Sequence, residues 1–368
     1  MNKYIEIMKT SMLLGLSAVA FSACSDWTDV ESVNLNNPTL ETQNPQLYEA
    51  YVCSLNEYKA SEHLVTIVSV DNVADIPVGR SQTLSSLPDS VDYVCLNNVL
   101  AVSDANRADF EYLHKMGTKV LGLIDFDAIK ATWEAKMKAE EEAAAEKGEN
   151  EEETASGETE NGETPDGLSE AERFIEYCKA ETAVALEACI ALGLDGIEMN
   201  YTGHDLNSTI TEEAIAAETA RQGAFFDAIA AWKAANADKT LFFKGSPQNV
   251  MNKELLWECK YIIVYAHEAK NYFEMSYSVI MATVKDVPAD RFIIGVVTPY
   301  KNNAGDMNGE LSNGSSAILG ASTWTMIKEA NYVKAGISVD AAQMDYFNPL
   351  KTYKNIREAI NNMNPTVY

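Results

Sequence analysis

Short, nearly continuous apolar runs alternate with segments of helical periodicity along most of the chain, and that alternation predicts an α/β fold. Eight runs read as strands: His63–Val70, Val91–Leu96, Lys119–Ile124, Leu194–Tyr201, Thr240–Lys244, Tyr261–Tyr265, Arg291–Val297 and Gly336–Met344. Most are apolar at nearly every position rather than at every second one, as strands covered on both faces are. Between them, Phe174, Cys178, Val184, Ala185 and Cys189 fall on one helical stripe ahead of the fourth run, and Phe225, Phe226, Ile229 and Trp232 form another after it. Two further helices are predicted over Thr323–Lys334, with Trp324 packed in the core, and over Tyr353–Met363. Eight βα units predict a (β/α)8 TIM barrel, whose functional face is the carboxyl end of its strands. An open doubly wound sheet is the structural alternative. It would usually show a Gly-rich first βα turn, and Val70-Asp71-Asn72-Val73-Ala74-Asp75 has no glycine, which argues against a Rossmann cofactor site.

The amino end departs from this pattern. A basic start, MNKYIEIMKT, leads into an apolar stretch from Met12 to Ala23 that is too short to span a bilayer and ends in small residues before Cys24. This is a secretory signal pattern. Phe21-Ser22-Ala23-Cys24 resembles a bacterial lipobox, in which cleavage leaves the cysteine as a lipid-modified first residue; a plain signal peptide with a nearby cysteine is the alternative. The acidic run Ser25-Asp26-Trp27-Thr28-Asp29 resembles the tether of surface-exported lipoproteins. The expected organisation is a signal over 1–23, a lipidated tether over 24–45 and the barrel over 46–368.

Charge changes the picture in one place. The chain of 368 residues carries a formal charge of −27, and eleven Glu against one Lys between Glu140 and Glu163 supply ten of those units. The segment 147–167 contains no apolar residue larger than alanine, so it has nothing to bury that could offset the entropy of ordering. It reads as a disordered insertion in the third βα unit. The remaining acidity, over a folded body, disfavours nucleic acid as a partner and suits an uncharged ligand. The five cysteines beyond Cys24 are widely spaced with no Cys-x-x-Cys pair, so neither a disulfide framework nor a metal site is expected, and most should be buried as small apolar residues. No cofactor is expected, no Walker A pattern occurs, and no Gly-x-Ser-x-Gly elbow is present.

The fourth run is the most informative. In Asp195-Gly196-Ile197-Glu198-Met199-Asn200-Tyr201-Thr202, a period of two places Glu198, Asn200 and Thr202 on one face and Ile197, Met199 and Tyr201 on the other. In a barrel the polar set points inward at the mouth. Such groups each need a hydrogen-bond partner, so the pattern reads as a site rather than as packing.

This octapeptide resembles the D-G-x-D-x-D-x-E signature of glycoside hydrolase family 18, the family of chitinases and endo-β-N-acetylglucosaminidases, on the fourth strand of its barrel. Leu55-Asn56-Glu57-Tyr58-Lys59, Tyr265 and the closing Tyr346-Phe347-Asn348-Pro349 look like the Bacteroidetes lipoprotein branch of that family. The resemblance implies a substrate-assisted mechanism in which the final Glu protonates the glycosidic oxygen and the Asp two residues earlier orients the substrate's acetamido group. This chain has Thr202 and Asn200 at those positions. A hydroxyl cannot supply the general acid, a role worth roughly 10² to 10⁴ in rate, and a neutral amide brings no charge to an oxazolinium-like intermediate. Glu198 keeps a carboxylate but lies deeper in the strand.

The expectation is therefore a surface-exposed lipoprotein of the outer membrane that captures GlcNAc-containing glycans without cleaving them. By resemblance the ligand class is host N-glycans, with an outer-membrane glycan importer and an active endoglycosidase as partners. An active enzyme with a relocated acid and a scaffold without glycan affinity are the alternatives. Besides Glu198, Asn200 and Thr202, the strand ends offer Asp71 and Asn72, Asn97, Asp125 and Phe126, Tyr265 and His267, Tyr300, and Gln343, Asp345 and Tyr346 as ligand-binding candidates.

Overall fold

A computed structural model of the chain describes residues 39–148, 168–204, 211–301 and 307–365. The expected signal, the expected lipidation at Cys24, the first part of the expected tether and residues 149–167 of the acidic insertion lie outside them. The chain divides into two compact units, Met1–Tyr51 and Val52–Tyr368. The described part of the first is a helical turn over Leu40–Gln43 and the opening turns of helix α1 (Pro45–Ala60).

The second unit is a closed barrel of eight parallel strands. These are β1 (Val65–Val70), β2 (Tyr93–Leu96), β3 (Lys119–Asp125), β4 (Gly196–Tyr201), β5 (Thr240–Gly245), β6 (Tyr261–Tyr265), β7 (Phe292–Val297) and β8 (Lys334–Asp340). Neighbours in sequence are neighbours in space, and β8 closes on β1 with Val65 opposite Gly336 and Val68 opposite Val339. The outer layer is made by helices α2 (Asp104–Lys115), α3 (Phe126–Gly148), α4 (Glu170–Leu192), α5 (Glu212–Ala235), α6 (Glu254–Glu258), α7 (Tyr272–Ala282), α8 (Ala317–Met326) and α9 (Lys354–Met363).

Two cores explain why the strands read as unbroken apolar runs. Val65, Ile67, Tyr93, Cys95, Leu121, Phe242, Ile263 and Ile293 fill the lower barrel interior. Alternate positions such as Val68, Val94, Ile197, Met199 and Phe243 join the larger shell between strands and helices. Helix ends follow local chemistry. Ser169 and Glu172 form a reciprocal capping box at the start of α4, and Gly193 ends that helix in a left-handed conformation, φ 70°.

Several expectations need correction. No α-helix joins β1 to β2; two short 3₁₀ turns, Arg80–Gln82 and Leu84–Ser86, do so instead. Two helices, α3 and α4, follow β3, and α3 runs to Gly148, so Lys147 and Gly148 are helical rather than part of a disordered segment. Val184 is exposed although its spacing puts it on the α4 stripe, whereas Phe174, Cys178 and Cys189 are buried. Helix α8, expected over Thr323–Lys334, spans Ala317–Met326, with Ser316 capping its first turn, and Trp324 is buried in it as expected. The eighth strand stops at Asp340, where Ala341 turns into the left-handed region at φ 51°, and Ala342–Phe347 is a 3₁₀ helix rather than strand. Cys95, Cys178, Cys189 and Cys259 are buried and unpaired.

Candidate functional site

The inward residues of β4 sit in two layers. In the upper one, Asn200 lies opposite Asp125 on β3 and opposite Lys244 on β5. Its Nδ2 donates to Asp125 Oδ1 at 2.7 Å and to Asp127 Oδ2 at 3.3 Å, while its Oδ1 accepts from the Tyr265 hydroxyl at 2.8 Å. Every polar atom of the amide is thereby engaged. Thr202 is held just beyond the strand: its N–H and its hydroxyl both donate to Asp127 Oδ2, at 3.0 and 2.8 Å, and its carbonyl accepts from Asn249 Nδ2 at 2.7 Å. Asp127 is half-buried at the start of α3. Burial raises its pKa, and neighbouring Asp125 raises it further against the opposing hydrogen bonds from Thr202.

The lower layer is a charge cluster. Lys244 crosses the barrel from β5, with Nζ 3.1 Å from Glu198 Oε1, 2.7 Å from Asp340 Oδ1 on β8 and 3.4 Å from Ser69 Oγ on β1. Glu198 is 0% exposed and Lys244 3%. Burial pushes the Glu198 carboxyl upward, only partly countered by the ammonium. Burial also works against the charge on Lys244, but the Asp340 and Glu198 carboxylates overcome it and hold the amine well above its usual value. Asp340 is pulled the other way. Despite burial, Lys244 and His267 keep its carboxyl well below the carboxylate range. His267 Nε2 lies 3.0 Å from Asp340 Oδ2, and its ring meets that of Tyr265 edge to face at 4.6 Å. His267 thus sits just beyond β6, against Asp340 and Tyr265.

Asp71, Asn97 and Gln343 form a second polar group on the β1, β2 and β8 side of the rim. Asp71 accepts from Asn97 Nδ2 and from Gln343 Nε2, each at 2.7 Å, through different oxygens. Asp71 is exposed, Asn97 and Gln343 are half-buried, and amide and carboxylate groups of this kind suit sugar hydroxyls.

The remaining candidates are redistributed. Glu198, expected among the ligand-binding residues, is wholly buried beneath Lys244, out of a ligand's reach. Asp345 is buried and accepts from Asn355 Nδ2 and Ile356 N at 2.8 and 2.9 Å, which caps α9. Tyr346 packs edge-on against Phe347 and Tyr353, Phe126 is core, and Asn72 is buried tying its own loop to the Asn98 and Ala101 carbonyls. Tyr300 is exposed on a short antiparallel pair, Tyr300–Lys301 against Met307–Asn308, away from the barrel strands that carry the two polar groups. Asp195, at the base of β4, binds His114 Nε2 and Val120 N at 2.7 and 2.8 Å.

Three central residues escape a reading of the sequence. Lys244 and Asp340 share inward parity with Phe242 and Ser338, which is the signal the sequence offers for them. Asp127 follows the β3 end by only two residues. Among the described residues no cluster of three or more His, Cys, Asp or Glu is arranged to hold a metal ion.

Residues 28–362 match the family described as glycoside hydrolase family 18, BT1044-like. The fold is similar to that of a selenomethionine form of a BT1044 variant, with 19% identity, a TM-score of 0.58, and coverage of 88% of this chain and 95% of that one. It is also similar to the endo-β-N-acetylglucosaminidase of Cordyceps militaris in apo form, with 15% identity, a TM-score of 0.55, and coverage of 86% and 96%. A doubly substituted variant of that fungal protein, in complex with fucosyl-N-acetylglucosamine-Asn, gives 15% identity, a TM-score of 0.56 and the same coverage. No curated protein matches the chain. The chain belongs to glycoside hydrolase family 18.

Proposed function

We propose that this family 18 chain holds a GlcNAc-containing oligosaccharide at the mouth of its barrel without cleaving it, as a lipid-anchored protein of the bacterial surface that captures N-glycans for uptake. One observation carries the reading. The two groups that stand where the family signature has carboxylic acids, Asn200 and Thr202, are a neutral amide and a hydroxyl, and both are locked in hydrogen bonds to Asp125, Asp127 and Tyr265. The arrangement has no carboxylic acid of its own at the end of β4. Support for the ligand class comes from the similar fungal protein, which is held with fucosyl-N-acetylglucosamine-Asn. The amino-terminal lipobox-like segment supports the surface location and an importer as partner.

A second reading rests on Asp127. Its carboxyl is half-buried, shifted upward and 2.8 Å from the Thr202 hydroxyl, so it is the group placed to act as a relocated general acid. Glu198 is not, because Lys244 covers it.

Calorimetric titration with an N-glycan or a chitooligosaccharide, followed by analysis of the same mixture for released sugar, separates the readings. Binding heat without product is expected. Product that persists in Thr202→Ala and vanishes in Asp127→Asn establishes the relocated acid, and absence of both heat and product overturns glycan capture.

A further inference from the structure

We propose a second binding site, for a phosphate or carboxylate group, in a cavity at the amino-terminal end of the barrel, opposite the mouth. The cavity has a volume of about 590 Å³ and is lined by the first residues of four strands, Val65, Tyr93, Lys119 and Tyr261. That size suits a small ligand.

Three lysines, Lys59, Lys119 and Lys260, line it. Lys59 Nζ donates to the Val91 carbonyl and to Thr118 Oγ1, both at 2.7 Å, which leaves its third N–H uncommitted. Lys260 Nζ donates to the Tyr93 hydroxyl at 2.6 Å, 5.3 and 5.4 Å from the centroids of the Tyr93 and Tyr261 rings, with two N–H groups left. Lys119 is exposed and its ammonium makes no hydrogen bond among the described residues.

Of the acids on the same lining, neither takes an ammonium as its direct partner, and three lysines outnumber them. Asp92 is committed on both oxygens, to His63 Nε2 at 2.9 Å and to the Thr66 N–H at 2.8 Å. Glu62 is exposed at the edge. Burial lowers the Lys59 amine to about 8, against the raising effect of Asp92 and Asp89, so an anion arriving beside it would strengthen its protonation. The Tyr93 phenol, pushed up to about 12 by burial, stays protonated and remains a donor.

Packing does not account for the arrangement. Lys119 and Lys260 are exposed, and a neutral lining would close the barrel end without gathering like charges. The whole-chain charge of −27 does not forbid an anion here, because acids more than about 8 Å away are screened at physiological salt.

The site is independent of the glycan reading and is tested separately. Calorimetric titration with inorganic phosphate and with citrate is expected to give saturable binding. Affinity should fall about tenfold or more in Lys119→Met/Lys260→Met, as loss of charge-assisted bonds predicts. It should be unchanged in Lys138→Met, which removes an exposed ammonium on α3. Lys119→Met alone should weaken binding with no change in thermal unfolding, which separates charge from fold. Flotation with phosphatidylglycerol-containing vesicles against phosphatidylcholine alone distinguishes a lipid headgroup from a soluble anion as the source. Absence of both anion binding and selective flotation overturns the proposal, as does binding that every variant retains.

Discussion

Replacing Lys244 by methionine removes the cation that lies between the buried carboxyl of Glu198 and the half-buried one of Asp340 while nearly keeping the side-chain length. In the native barrel its ammonium lies 3.1 Å from Glu198 and 2.7 Å from Asp340. At an effective dielectric constant near 20, each contact corresponds to an attraction of about 5–6 kcal/mol before desolvation is subtracted. The net effect is smaller. Breaking a buried pair by deleting one partner typically costs about 3–5 kcal/mol, because the remaining charge is left without compensation. Lys244→Met should therefore unfold on the order of 5–10 °C earlier than the native chain at pH 8.

The pH dependence gives this prediction its specificity. Glu198 is already raised by burial, so its folded form holds a proton more tightly than the unfolded chain does. A carboxyl of that kind adds stability as pH falls through its folded value. Asp340 behaves oppositely in the native chain. Its depressed carboxyl contributes stability above the ordinary carboxylate range and loses it as pH falls toward its folded value. Without Lys244, Asp340 loses its main charged partner, and both acids favour protonation. The variant should recover about 1.4 kcal/mol per pH unit and per proton taken up, down to the ordinary carboxylate range. Scanning calorimetry at pH 8 and pH 5 measures the difference, and Lys244→Met/Glu198→Gln should restore part of the loss at pH 8. A deficit below about 1 kcal/mol, or one equal at both pH values, refutes the charge-cluster argument.

Two further outcomes follow from the upper layer and from the barrel wall. Thr202→Glu places a carboxyl beside Asp127 but leaves neutral Asn200 in the orienting position, so it should release little product from a chitooligosaccharide; robust hydrolysis would show that the acid was the only missing part. Gly245→Ala should cost about 4 kcal/mol or more, because Gly245 has φ +119° and a Cβ there would lie 2.2 Å from the Tyr201 carbonyl oxygen; a native denaturant midpoint in that variant contradicts so close an approach of β4 and β5.

Most of the barrel is legible in the sequence because the signal is redundant: a strand covered on both faces leaves an apolar run that survives an error of two residues at either end. Helix placement is less secure. The crossover from β1 to β2 contains no α-helix, and Val184 satisfies a helical stripe that the packed α4 does not use. Element ends are the weakest point, and this is where the site lies. The run Ala341-Ala342-Gln343-Met344 is as apolar as a strand, so nothing local marks the left-handed turn at Ala341 that ends β8. Reading through that turn hides Asp340 inside a strand.

Lys244 shows a different limit. A lysine closing a strand reads by default as a solvated end, because burying an ammonium is unfavourable unless acids meet it. Those acids, Glu198 and Asp340, lie 46 and 96 residues away, distances that a strand-by-strand reading does not bridge. The motif on β4 can therefore reveal that two acids are replaced, but not what electrostatic setting accompanies the replacement. The structure supplies that missing half: inside the barrel an ammonium from β5 is held between the Glu198 and Asp340 carboxylates. The two layers therefore differ in kind: the lower one pairs one ammonium with two carboxylates, while the upper one sets the neutral groups Asn200 and Thr202 against Asp125 and Asp127.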